Sequence, residues 1–315
     1  MLKVAMLSKW HVHAGGYANF VKNCGKCEIV AVWDDDTARG EAWAKELGCE
    51  FVPCLDTLLA REDVEAVVCD APTTEHKDIL VKAAKAGKHI FTEKVLALSD
   101  ADCQRVAAAV EANGVSFTIS LFQKYLPARR AVKSVCESGE LGNINYLRFR
   151  NCHSGSSNDW LPAHFYNREQ CGGGAMIDLG AHGMYLIHWL LGMPVSASSA
   201  FTRACENPAA NAKNTDGVED NAVTVMSFEN GAIAINETGF CSNCAPIVFE
   251  VHGEKGFVRM EDDRIIKRTQ STGGKPVEVA PAPNQDLPII QFVKGEILPG
   301  CGMDEAIALT HMMVM

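Results

Sequence analysis

Asp178 and His182 stand four residues apart in a stretch that opens on Gly172-Gly173-Gly174 and closes on Gly192, with Pro194 beyond. That punctuation predicts a helix over residues 172–192. Ile177, Leu186, Ile187, Leu190 and Leu191 recur at helical spacing, so most of it should be buried. Positions four apart share a helix face. A carboxylate and an imidazole are costly on an apolar helix unless paired or used. Two readings fit: an acid/base pair at the glycine-rich end, or a structural hydrogen bond to a neighbouring element. Imidazole titrates near neutrality, so His182 could serve as a proton acceptor, with Asp178 orienting it or a neighbouring hydroxyl. Lys94 follows the apolar run His89–Thr92 and could stabilise developing negative charge. Alone, it reads as a surface lysine.

Other clusters invite chemistry less strongly. His11-Val12-His13 follows the first apolar run, as in the metal sites of barrel hydrolases. Such sites need further ligands at later strand ends, which here offer Asp34 and Lys94, so no metal is expected. Cys24/Cys27 and Cys241/Cys244 are Cys-x-x-Cys pairs far apart in the chain, and read as free thiols. His153, Trp160, His164 and Tyr166 lie in a polar loop and serve equally well as a sugar platform or as packing.

These residues need a scaffold. Short apolar runs at Leu2–Leu7, 28–33, Ala66–Cys69, His89–Thr92 and 116–119 read as strands. They alternate with helical patterns at 13–23, Thr37–Leu47, one ending at Ala86 before Gly87, and 100–113 with Ser99 as its cap. That alternation predicts a doubly wound parallel sheet. Ligands bind such sheets beyond the carboxyl ends of the strands, where Ser8–His13, Asp34, Ala71–Thr73 and Glu93-Lys94 fall. Beyond residue 121 the pattern changes. A helix over 127–138 and a strand over 145–152 precede the Asp178 helix, and strands with hairpin signals follow over 195–267, as at Glu229-Asn230-Gly231. The expectation is an α/β domain over residues 1–121 and an α+β domain with a large, mainly antiparallel sheet over 122–315. The helix over 304–315 stops while still periodic and is expected to be cut short.

The chain has 315 residues, 47% hydrophobic and 22% charged, with a net charge of −10. Nucleic-acid and anionic-membrane partners are disfavoured by that charge. No apolar run approaches the roughly 20 residues of a membrane span. The first apolar run, Leu2–Leu7, lacks the long apolar region and cleavage site of a signal peptide, so no secretory leader is expected. Thirteen cysteines without framework spacing suit a reducing cytoplasm.

Four motifs carry a family resemblance. They are residues 86–94, ending in Glu93-Lys94; Pro72 with His76; Gly172-Gly173-Gly174 through Asp178 and His182; and Glu219-Asp220-Asn221 with Phe228-Glu229-Asn230-Gly231. In this order and spacing the chain resembles the glucose–fructose oxidoreductase / inositol dehydrogenase / rhizopine-catabolism (Gfo/Idh/MocA) oxidoreductases along essentially its whole length. The resemblance implies a nicotinamide cofactor on a Rossmann domain and a catalytic trio of Lys94, Asp178 and His182. It places the cofactor against Ser8, Lys9, Trp10, His11, Val12, Asp34, Ala71, Pro72, Thr73, His76, Glu93, Lys94 and Gln123. Substrate falls to His153, Trp160, Tyr166, Asp178 and His182.

Two departures stand out. The phosphate loop, 8–14, has no glycine in its turn; Gly15 and Gly16 come later, inside the helix. Helix-start amides or the Lys9 ammonium could still hold a phosphate. Val95 replaces the family's usual proline after the lysine. Asp34, Asp35 and Asp36 at the end of the second strand favour NAD over NADP, because carboxylates repel a 2′-phosphate. Three functions follow: an NAD-linked oxidoreductase of a sugar, inositol or related polyol; a redox-neutral glycosidase of the same superfamily; or a non-catalytic dinucleotide sensor. Retention of Lys94, Asp178 and His182 argues against the last. A homodimer or homotetramer is expected, since one face of the large sheet lacks helical cover.

Overall fold

The computed structural model describes residues 1–296 and 299–315. Six strands form the first sheet: β1 (Leu2–Leu7), β2 (Cys27–Trp33), β3 (Glu50–Phe51), β4 (Ala66–Cys69), β5 (His89–Thr92) and β6 (Phe117–Ile119). All pair in parallel, in the order β3-β2-β1-β4-β5-β6. Val4–Leu7 and the whole of β4 are buried, as unbroken apolar strands covered on both faces should be. The strand order reverses beside β1, which makes its carboxyl end the switch point of a doubly wound sheet. Leu7 pairs with both Trp33 and Cys69, and Cys69 with Thr92. The next residues, Ser8, Asp34, Asp70 and Glu93, therefore emerge side by side at one edge.

Five helices connect these strands: α1 (Ala14–Asn23), α2 (Thr37–Leu47), α3 (Leu55–Leu59), α4 (His76–Lys85) and α5 (Asp100–Asn113). The Asp36 carboxylate accepts the Arg39 amide at the start of α2, and Ser99 does the same for Asp102 at α5. The brief β3 and α3 are too short to leave a periodic signal in the sequence.

The second sheet has eight strands: β7 (Ile144–Cys152), β8 (Ser196–Thr202), β9 (Asn221–Ser227), β10 (Ile233–Gly239), β11 (Val248–Gly253), β12 (Gly256–Glu261), β13 (Arg264–Thr269) and β14 (Val277–Glu278). Their order is β14-β13-β12-β11-β7-β10-β9-β8, and within this sheet, among the described residues, only the β7–β10 pair is parallel. With it go helices α6 (Pro127–Glu137), α7 (Arg168–Cys171), α8 (Ala181–Leu191) and α9 (Pro208–Lys213). At Gly183 a Cβ would lie 1.9 Å from Asn236 Oδ1 and 2.9 Å from the Phe149 ring, so only glycine lets α8 settle onto β7 and β10.

The structure divides the predicted helix 172–192. Helix α7 ends at Gly172, whose φ of +84° turns the chain, and a π-helical turn over Met176–Gly180 then leads into α8. The glycines do more than loosen an approach. A Cβ on Gly174 would meet the Glu219 carbonyl oxygen at 2.0 Å, because the Glu219 segment lies against this turn.

Two compact units result, Met1–Leu121 with Asp286–His311, and Phe122–Gln285 with Met312–Met315. Thus the chain returns to the first unit late, where a single cut after residue 121 assigns those residues to the second. The reason is apolar. In α10 (Pro288–Val293), Ile289, Phe292 and Val293 join the core formed by Tyr17, Val21 and Phe91. The last helix, α11 (Met303–Val314), anchors through Thr310 Oγ1, which donates to the Ala97 carbonyl at 3.3 Å. No helix among the described residues is long and apolar enough to cross a membrane.

Candidate functional site

The loop after β1 binds itself. The Lys9 amide donates to Asp34 Oδ2 at 2.8 Å, the Trp10 amide to Ser8 Oγ, the His11 amide to the Asp70 carbonyl, and the His13 amide to His11 Nδ1. Ser8 itself sits at a φ of +67°. Among the described residues no acceptor meets the amides of Val12, Gly15 and Gly16. A Cβ on either glycine would touch nothing within 4 Å. Open donors at the start of a helix suit the pyrophosphate of a dinucleotide. The glycines missing from the turn thus recur one step later, at the positions where backbone is still unpaired. Lys9, the alternative phosphate ligand, is engaged elsewhere: its ammonium pairs with Glu46 at 2.6 Å and lies over the Trp43 ring.

Asp34, which the family resemblance sets against the cofactor, is engaged inside the protein. It is buried, and Arg39 folds back from α2 to donate from Nε to both of its oxygens at 3.0 Å. The Lys9 and Asp36 amides complete its shell. Burial would raise this carboxyl, but the Arg39 and backbone hydrogen bonds outweigh it and hold it below the usual range. A carboxylate so enclosed has no open face for a ribose hydroxyl. Arg39 also bridges to Asp35 at 2.6 Å, so the acidic run does hold a cation. Asp35 rises, pushed by burial and by its hydrogen bond to Asp34.

At the end of β5, Glu93 is buried and heavily used. His13 Nδ1 lies 2.7 Å from its Oε1, Tyr17 Oη donates to the same oxygen, and the Lys94 amide donates to Oε2 at 2.8 Å. Burial would raise Glu93, but His11, His13 and Lys94 outweigh it and hold it well below the usual carboxylate range. Tyr17 continues to Ser120 at 2.6 Å. Burial, then the Glu93 and Asp70 charges, push the Tyr17 phenol well up. One strand over, the buried Asp70 carboxylate has no hydrogen-bond partner among the described residues. Burial and then the Glu93 charge push it well up. The sequence reading passed over Asp70, although its place after β4 marks it for this edge.

His76 is a strut. Its ring lies between the Val95 carbonyl at 2.8 Å and the Ala71 carbonyl at 3.0 Å, and burial lowers its pKa. It ties the Ala71-Pro72-Thr73 segment, all buried, to the segment that carries Lys94. Lys94 is itself buried, and the Lys94–Val95 peptide is cis.

In the second unit the Glu219 carboxylate accepts the Gly174 and Met176 amides at about 3.0 Å and so caps the π turn. From β10, Asn236 Nδ2 donates to the Gly180 carbonyl at 2.8 Å and Thr238 Oγ1 to the Ala175 carbonyl at 3.3 Å. These bonds fix the turn that presents Asp178. One helical turn on, His182 is buried, with Nδ1 at 2.8 Å from Tyr185 Oη. The Gln123 amide donates to the same phenol at 3.2 Å, and the Phe122 ring stands edge-on to the imidazole. Tyr185 is the residue that sequence reasoning missed: its place three after His182 signals a same-face partner, but its type reads as core. Gln123 keeps a buried Oε1 with no partner among the described residues.

His153 stacks on Phe240, at 5.0 Å and 10°, and packs against Trp160. Burial lowers its pKa, while the Asp178 charge acts in the opposite sense, which places the two within electrostatic reach. Trp160 is 53% exposed. Tyr166 is a packing residue: it is buried among Leu161, Phe165 and Phe240, and its hydroxyl meets Ser156 Oγ at 2.7 Å. None of the thirteen cysteines forms a disulfide. Cys24 and Cys27 belong to the first unit, Cys241 and Cys244 to the second. The His11–His13 pair does find a third donor, Glu93, which the sequence reading had not counted.

Comparison with known proteins identifies both parts of the chain. Residues 11–121 match a model of the oxidoreductase family with an NAD-binding Rossmann fold, and residues 129–259 match the GFO/IDH/MocA C-terminal domain. The scyllo-inositol 2-dehydrogenase (NAD(+)) of Bacillus subtilis is 30% identical over 215 residues, 68% of this chain and 60% of its own length. The 2,7-anhydro-N-acetylneuraminate hydratase of Mediterraneibacter gnavus is 29% identical over 238 residues, 74% of this chain and 60% of its own. Among solved structures, the aldose–aldose oxidoreductase of Caulobacter crescentus superposes with a TM-score of 0.80 at 20% identity, covering 99% of this chain and 94% of its own. The chain belongs to the Gfo/Idh/MocA oxidoreductase family, with an NAD(P)-binding Rossmann fold followed by that family's C-terminal domain.

Proposed function

We propose that this protein is an NAD-linked oxidoreductase acting on a secondary alcohol of a sugar, inositol or related polyol. The observation that carries the proposal is the pair of unpaired amides at Gly15 and Gly16, on the sheet edge that also bears Lys94. With the Val12 amide they would hold the pyrophosphate. When bound, the nicotinamide accepts or returns the carbinol hydride. The chain's own residues handle the proton. His182 takes it from the hydroxyl at Nε2, because Tyr185 occupies Nδ1. Lys94, with its backbone held by Glu93, is the candidate to stabilise negative charge on a substrate oxygen. Asp178 orients the imidazole or a neighbouring hydroxyl. NAD is the preferred dinucleotide: Asp34, Asp35 and Asp36 outnumber Arg39, whose guanidinium Asp34 and Asp35 already engage. That preference rests on local charge and not on a ribose bond from Asp34.

Turnover of a panel of inositols, aldoses and anhydro-sugars tests the roles. Lys94→Ala and His182→Ala should each lose about 100-fold or more with an unchanged unfolding midpoint. Near-wild-type turnover in both would sink the assignment. A second reading keeps the same residues but returns the hydride within one cycle, so that a C–O bond is broken with no net oxidation. The hydratase relative, matched over 74% of this chain, favours it. Net NADH accumulation separates the two readings. We also propose a homodimer or homotetramer covering the sheet face that exposes Val225 (43%) and Ile233 (46%). Light scattering that returns a monomer at micromolar concentration contradicts it. Thirteen free thiols are consistent with a cytoplasmic setting.

A further inference from the structure

We propose that His11, His13 and Glu93 form a binding site for a divalent transition-metal ion at the carboxyl edge of the first sheet, beside the Asp70 carboxylate. The donor atoms are already gathered. His11 Nδ1 and His13 Nδ1 lie 3.9 and 2.7 Å from Glu93 Oε1, and one donor atom from each residue falls within 4.8 Å of the others. A tetrahedral ion with bonds near 2.0–2.1 Å separates its donors by about 3.3 Å, between the two observed spacings. Two imidazoles and a carboxylate are a donor set that zinc and cobalt favour, with a fourth position left open.

His13 Nδ1 faces the Glu93 carboxylate at 2.7 Å as a donor, so an ion displaces its proton on binding. The His13 amide donates to His11 Nδ1 at 3.3 Å, so that nitrogen carries no proton, and an ion takes its lone pair in place of this bond. The His11 and His13 rings meet edge to face at 4.6 Å, held by the same short loop. His13 is 35% exposed at its side chain, which gives an ion a way in.

Asp70 is the independent observation. It leaves β4 at the height at which Glu93 leaves β5, since Cys69 pairs with Thr92. It is fully buried, and neither carboxylate oxygen meets a donor among the described residues. A buried carboxylate without a donor is unfavourable. Its neighbour Glu93 is a second carboxylate, which worsens it. Other groups acting on this pair are Tyr17 and Lys94. A dication at the His11–His13–Glu93 position neutralises both acids, and a single charge from Lys94 cannot.

Tag-free full-length protein, dialysed against chelator, is titrated with cobalt(II) and read by its visible d–d absorption and by calorimetry. One saturable equivalent per chain with tetrahedral-type bands is expected. His13→Ala, at a half-exposed position, should weaken binding at least about tenfold, and Glu93→Gln at least about 100-fold, each with an unchanged circular dichroism spectrum. Zinc should displace the cobalt. The absence of saturable binding overturns the proposal. So does binding that is unchanged in both variants, or that carries a thiolate charge-transfer band lost in Cys205→Ser. That band would put the ion at the other donor cluster, Cys205, Asp220 and Cys241.

Discussion

Asp34 and Asp70 occupy equivalent places. Each is the first residue beyond a strand beside β1, and each is buried. Their surroundings are opposite. Asp34 accepts from two backbone amides and the Arg39 guanidinium; Asp70 accepts from nothing described. One carboxylate is thereby built into the scaffold as an ion, and the other is held against its charged form. Position at a ligand edge therefore does not decide whether an acid is available to a ligand. What fills its lone pairs does.

The largest expected effect breaks the Asp34 side. Arg39→Ala leaves a buried carboxylate with only its backbone donors. Removing one partner of a buried pair costs about 3–5 kcal/mol. Arg39 retains 26% exposure, so the expected loss is nearer about 2–3 kcal/mol in urea unfolding. A change below about 0.5 kcal/mol, the scale of an ordinary surface substitution, would remove the contrast.

Asp70→Asn should act in the other direction. It removes a charge that nothing supports and should stabilise chelator-treated protein by about 1–2 kcal/mol above neutral pH. The sign follows from linkage. The folded carboxyl is raised, so its contribution to stability is full below the unfolded value near about 3.9 and is lost as pH rises through the folded value. The gain from Asp70→Asn must then shrink on acidification. Asp34 is the mirror image. Its folded pKa is lowered, so its contribution is present above about pH 4 and is lost as pH falls through the folded value. Unfolding at several pH values for Asp34→Asn and Asp70→Asn should give slopes of opposite sign; parallel slopes would contradict the comparison.

The smallest effect concerns the dinucleotide. NAD should bind at least about tenfold tighter than NADP, or about 1.4 kcal/mol. Asp35→Ala should narrow that ratio by removing one negative charge and releasing the guanidinium from one of its two carboxylates. Equal affinities in the wild type would mean that the acidic run does not face the adenosine end.

Much of the fold was legible. The β1, β2, β4 and β5 runs are short, apolar and evenly spaced, and α2 and α5 carry their caps in the sequence. The helix holding Asp178 and His182 was legible as apolar periodicity. Its π turn was not, because that turn depends on Glu219, Asn236 and Thr238, residues more than forty positions away. Arg39 on Asp34 was hidden in the same way. Its place one turn into α2 is plain, but the rotamer that folds it back is set by tertiary packing. Tyr166 was proposed for substrate on residue type alone, and Phe240 and Leu161 claim it for the core.

The central claim is that a dinucleotide binds at the open amides of α1. Calorimetric titration with NADH of the wild type beside Gly16→Asp tests it, since a side chain at Gly16 meets nothing in the protein but projects a negative charge at those amides. The account predicts one saturable site per chain in the wild type, and binding at least about 100-fold weaker, or about 2.7 kcal/mol, in a variant that folds as well. No binding by the wild type, or equal affinity in the two proteins, would contradict it.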